Sequence, residues 1–236
     1  MNLSEQTDFL NQLLGRRFKD PTSNRINEPC IKDDFYVDLL SAFHNPDQFQ
    51  AANFRSYSLP SILVYLRKTH ELYVNKNIGE IMMAIKSLTD NNTIFLKLQT
   101  SLHLFFKDFR THLVTHIEEE ERNFFPYIEA LLIAENRNKL SFDWTKKVKL
   151  IDFLLDHNDN LERDLESLVK ALKNKAASHK DSFAFQMLVN RLSIFELDLR
   201  IHAKIEEKVL MPRALLLEKK VLNTPGLRID TGLQIQ

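Results

Sequence analysis

Residues 102–126 are written again at 188–212. Leu102, Phe106, Phe109, Leu113, His116, Glu120 and Pro126 align with Leu188, Leu192, Phe195, Leu199, His202, Glu206 and Pro212, every pair 86 positions apart. The stretch before it repeats as well. Leu63, Leu66, His70, Val74, Ile78, Ile81 and Ile85 align with Leu150, Phe153, His157, Leu161, Leu165, Leu168 and Leu172, every pair 87 apart. Apolar residues recur at three- and four-residue spacing in both copies, so each copy reads as two amphipathic helices. A duplicated helical hairpin buries its apolar faces against its own second copy, and the expected result is an all-α chain closing as a four-helix bundle.

The rest of the chain agrees with this. Only 4 glycines occur in 236 residues, and no Asn-Gly or Asp-Gly pair offers a hairpin turn. The periodicity predicts long helices at roughly 60–88, 93–121, 145–174 and 182–208, with shorter ones after Pro126 and Pro212. Those two prolines are expected to end or kink their helices. Residues 1–57, broken by Pro21, Pro29 and Pro46, hold two short helical candidates near 4–17 and 33–43. They read as an appendage or a cap on a bundle spanning 58–222. Residues 223–236 show no helical period and read as a loose tail.

Composition excludes several classes. With 32 basic and 32 acidic side chains the formal charge is zero, so no general grip on nucleic acid or anionic membrane is expected. Cys30 is the single cysteine, which rules out internal disulfides and cysteine-ligated metal clusters within the chain. Neither a signal peptide nor a run of eighteen apolar residues is seen, and the expected location is cytoplasmic.

Polar residues stand in the apolar seam itself. His70, His116, His157 and His202 fall on the stripes, and Glu120 and Glu206 follow His116 and His202 by four residues. That spacing puts each carboxylate about 40° round the helix and about 6 Å along it, in the same part of the interior. Two buried carboxylates need cations. No lysine or arginine repeats on the stripe, since Arg67 aligns with Leu154 and Lys204 with Glu118. Metal ions are therefore the expected counter-charge: four imidazoles and two carboxylates serve two ions, each with two nitrogens and a share in the bridging carboxylates. Imidazole with carboxylate and without thiolate suits iron, manganese or zinc, and a pair of irons best fits a bundle with open coordination positions.

The plainer alternative is a set of core histidines, each satisfied by one hydrogen bond. It accounts for one such residue more easily than for the same constellation twice. Glu118, Glu119 and Glu121 are read as a solvated acidic face. His112 is read as a surface residue or as a hydrogen-bond partner of a ligand, and His44, His103 and His179 are placed outside the site.

At these residues the chain resembles the hemerythrin-like di-iron proteins, and within them the Repair of Iron Centres family, the ScdA-type iron–sulfur cluster repair proteins. The stretches that carry the resemblance are LPSILVYLRKTHELY, HIEEEERNFFP, LIDFLLDHNDNLERDLESL and HAKIEEKVLMPRALLLE, most of residues 59–220. The resemblance implies a hemerythrin-like four-helix bundle with two non-haem iron ions under an oxo or hydroxo bridge. Its ligands fall on His70, His116, Glu120, His157, His202 and Glu206. It implies a cytoplasmic stress-response protein that repairs iron–sulfur clusters damaged by nitric oxide or oxidants, by iron donation. A di-iron sensor or binding module for nitric oxide or oxygen is the alternative, and turnover of nitric oxide is left open. Implied partners are damaged iron–sulfur proteins and the small gases, with a homodimer allowed. The cysteine-bearing domain with a vicinal pair that many members carry has no counterpart in a chain with Cys30 alone.

Overall fold

Helix after helix follows from the apolar spacing, and two of them begin under a serine cap, Ser58 and Ser182. The computed structural model describes residues 33–88, 93–137, 139–141, 161–176 and 182–230. Helix α1 spans Asp33–His44 and a single turn, α2, spans Ala51–Phe54. Helix α3 (Leu59–Leu72) starts under Ser58, whose side chain accepts from the Ser61 amide at 3.2 Å. Such a cap satisfies one of the amide protons that the first turn leaves over. The helical path continues through a wide turn, Tyr73–Asn77, into α4 (Ile78–Lys86). Helix α5 (Thr93–Glu119) passes through a second wide turn, Glu120–Phe124, into α6 (Phe125–Arg137). Helix α7 covers Leu161–Ala176. Helix α8 (Phe183–Ile205) starts under Ser182 and passes through a third wide turn, Glu206–Leu210, into α9 (Met211–Leu222).

The described residues are thus overwhelmingly helical, as the periodicity predicts. One difference lies at the prolines, which do not end the helices. The amide of Phe125 bonds to the carbonyl of Glu120, and that of Met211 to Glu206, five residues back instead of four. Pro126 and Pro212 follow immediately. A proline nitrogen carries no proton and its ring crowds the carbonyl four residues earlier, so one extra residue in the turn lets the helix step round the ring and continue. The first wide turn has no proline near it.

Two apolar cores result. In the first, Phe35, Leu39, Phe43 and Phe54 of α1 and α2 pack with the start of α3, with α6, with the end of α8 and with α9. Residues 33–57 are therefore built into this core as its cap. In the second, α4, α5, α7 and α8 contribute Ile81, Phe106, Leu165, Leu192 and their neighbours. Here α4 packs on α5, α5 on α7, α7 on α8 and α8 on α4, a closed ring of four helical segments. Each fully buried Leu, Ile or Phe contributes about 1.5–3 kcal/mol.

Two three-residue strands complete the described structure. Lys139–Ser141 pairs in parallel with Arg228–Asp230, so part of the segment read as a loose tail is tied back to the chain end of α6. Gly226, at φ 75°, makes the turn that admits this return. No helix among the described residues is long and apolar enough to cross a membrane. The expected helix near 4–17 and the first part of that at 145–174 lie outside the described residues.

Candidate metal centre

Three helical paths run from one core into the other. Along α3, Leu66 belongs to the first core and Tyr73 to the second. Along α5 and α6, Ile117 belongs to the second and Phe124 to the first, and along α8 Leu199 and Ile205 divide in the same way. His70, Glu120, His202 and Glu206 occupy the layer between, and they are 3%, 0%, 4% and 6% exposed. Wide helical turns are uncommon and gather at functional sites. Here two of them begin on the glutamates Glu120 and Glu206 themselves.

The side chains converge. His70 Nε2 lies 3.0 Å from Glu120 Oε2, and His116 Nε2 lies 3.1 Å from Glu120 Oε1. His70 Nε2 and His202 Nε2 are 3.2 Å apart. Two nitrogens bound to one ion at about 2.1 Å, at an angle of about 100°, would be separated by about that distance. Donor atoms of His70, Glu120 and His202 all fall within 4.8 Å of one another, as do those of His116, Glu120 and Glu206. The two groups share Glu120, one oxygen toward each. Either group could hold a metal ion. The donor chemistry fits such an ion, and so does Glu206 Oε1, which is buried with no hydrogen-bond partner among the described residues. Glu206 Oε2 also stands 3.9 Å from His202 Nε2 on the same helix.

Of the six residues the sequence offers as ligands, the structure brings five close together: His70, His116, Glu120, His202 and Glu206. His157 lies outside the described residues. His44, His103 and His112 are exposed, while His179 lies outside the described residues.

Glu121 corrects the sequence reading. It was expected on the solvated face, yet Glu121 Oε1 accepts from His70 Nδ1 at 2.8 Å. Its Oε2 accepts from Arg67 Nε at 3.1 Å, and Arg67 Nη1 donates to Glu129 Oε1 at 2.5 Å. The helix widens from Glu120 onward, so angles counted on an ordinary helix no longer hold at residue 121. The signal available in the sequence was Arg67, a cation three residues before a seam histidine and unmatched in the other copy. A carboxylate accepts only, so Nδ1 carries the proton and Nε2 is aimed at Glu120 and His202.

Charge in the layer is frustrated without a cation. Burial alone would lower the His70 pKa, but the hydrogen bonds and charges of Glu120 and Glu121 outweigh it and raise it. Glu206 is pushed well above the ordinary carboxylate range, by burial first and then by Glu120 facing it. Both groups bind a proton more firmly folded than unfolded. Their contribution to stability is full below the ordinary values, 6.5 for His70 and 4.5 for Glu206, and drains as pH rises toward the folded values. For these two groups, metal-stripped protein should lose melting temperature as pH rises above about 4.5 on account of Glu206, and further above about 6.5 on account of His70. Added metal needs the deprotonated ligands and should reverse that slope. Melting curves with chelator and with metal test this, and equal slopes in both would refute it.

A cavity of about 500 Å³ reaches the layer, with His70, His116, His202 and Glu206 on its wall together with Arg200 and Lys204. No family model, no curated protein and no solved structure matches this chain.

Proposed function

We propose that the chain is a hemerythrin-like four-helix bundle holding a dinuclear non-haem iron centre, and that it serves the repair of iron–sulfur clusters damaged by nitric oxide or oxidants by giving up iron. The observation that carries the proposal is Glu120, fully buried, with one oxygen against His70 and the other against His116. Support for the bundle comes from the ring of α4, α5, α7 and α8 and from the duplicated hairpin. By the same duplication His157 matches His70, and the proposal assigns it as the second imidazole beside His116.

When bound, the irons supply redox-active metal with positions open to oxygen or nitric oxide. The residues of the chain do the rest. Glu120 and Glu206 would neutralise the ions and, with the imidazoles, hold them in place, while the apolar cores on either side confine access to the cavity. The cavity is the way in for a small gas and the way out for a released ion. Iron that has to leave also needs its ligands to take up protons, which the raised proton affinity of Glu206 favours.

Metal analysis of freshly purified protein is expected to find two irons per chain, with an oxo-bridge absorption band in air. Iron-loaded protein mixed with a cluster-damaged dehydratase is then expected to restore activity above an iron-free control. Full metal content with no recovery, but with gas-dependent change in self-association, would transfer the reading to a sensor. Absence of stoichiometric metal would end both.

A further inference from the structure

The duplicated halves are unlike at one place that touches a ligand. In the first half Glu121 joins His70 Nδ1 to the Arg67 guanidinium, with contacts of 2.8 and 3.1 Å, and Arg67 is in turn tied to Glu129. The Phe125 ring lies parallel to the His70 imidazole, 2° between planes and 5.5 Å between centroids, and Arg67 sits 5.5 Å from the same ring centroid. In the second half the positions matching Arg67, Glu121 and Phe125 are Leu154, Glu207 and Met211. Leu154 has no charge to offer, Glu207 is exposed, and Met211 has no ring. The two candidate metal positions, as distinct from the two halves, also differ in exposure, 3% for the His70 side chain in one and 16% for that of His116 in the other.

We infer that Arg67, Glu121 and Phe125 are positioning residues that make the two metal positions inequivalent, the one at His70, His202 and Glu120 holding its ion while the one at His116, Glu120 and Glu206 exchanges first. This rests on the dinuclear reading above and adds which ion is surrendered. The physical cause is preorganisation. An imidazole already held in one tautomer and one ring plane loses little freedom on binding, and partners behind a ligand set metal affinity over about 10–100-fold. The cavity wall carries residues of both positions, so what favours exchange at the second is the greater exposure of its His116 and the lack of partners matching Arg67 and Phe125.

The test loads the full chain with two equivalents of cobalt(II) and follows visible absorbance as EDTA removes them. Two phases of equal amplitude are expected. Glu121→Gln and Arg67→Met should each speed the slow phase by about tenfold and leave the fast phase alone. Arg67→Lys, which keeps charge but not the fork, should restore part of the slow rate. A general loosening would move both phases, so a selective change separates positioning from mere support. Two ions leaving at one rate, or a slow phase unmoved by either variant, overturns the inference alone. Uptake of fewer than two ions by the unaltered protein overturns the dinuclear reading and this inference with it.

Discussion

Glu120→Gln is expected to empty both metal positions at once while leaving the metal-free fold intact. Each carboxylate oxygen faces a different imidazole, at 3.0 and 3.1 Å. An amide of the same size keeps one oxygen but puts an NH₂ donor where the other ion needs an acceptor, and it removes the charge that made two cations tolerable in a buried layer. Affinity at both positions should fall by more than the roughly 10–100-fold that loss of an outer partner costs. In the wild type, metal at about a hundredfold over its dissociation constant adds about 2.7 kcal/mol to stability. That increment should vanish in the variant. Above the pH at which His70 gives up the proton that Glu120 helps it hold, the metal-free variant should melt no lower than the metal-free wild type, because Glu206 no longer faces a second carboxylate. Metal content and melting temperature, each with and without added metal, read both halves of the result. Two ions retained in Glu120→Gln would remove Glu120 as the bridge. Glu119→Gln, on the exposed face, should change neither.

Phe125→Ala should be the most damaging single truncation beside the site. The ring is 0% exposed, belongs to the first core, and carries His70 on its face with Arg67 close by. Deleting it costs about 3–5 kcal/mol for transfer and cavity together, and up to about 1 kcal/mol more for the lost cation–ring contact. For a chain of this size that is a fall in melting temperature of about 6–24 °C. Phe125→Leu refills most of the space and should recover more than half of the loss, but without the flat face that holds the imidazole plane. A calorimetric comparison decides it, and a loss under about 1 kcal/mol for the alanine variant would show that the ring is not a packing element of the layer.

Much of the site was legible because burial leaves a mark on spacing. His70, His116 and His202 interrupt stripes of leucine, isoleucine and phenylalanine, and Glu120 and Glu206 follow at one helical turn, so their common direction could be read without coordinates. Duplication supplied the second check, since chance polar residues in a core do not recur at the same offset. Glu121 escaped that reasoning for a definite cause. Azimuth counted at ordinary helical pitch fails once a turn gains a residue, and the gain begins at Glu120. The paired strands escaped as well. Three residues a side carry no alternation, and the partners lie far apart in the chain, Lys139 with Arg228.

Local spacing determined which face of each helix is apolar, which polar residues break that face, and that the hairpin occurs twice, because these depend only on neighbours three and four positions away. Tertiary packing decided that three helices cross one polar layer between two cores, that Glu120 divides its oxygens between imidazoles of two helices, and that Glu121 turns to His70 with Arg67 behind it. Such meetings depend on how separate helices slide and rotate against each other, and on where a turn widens, and no periodicity within one helix carries that information.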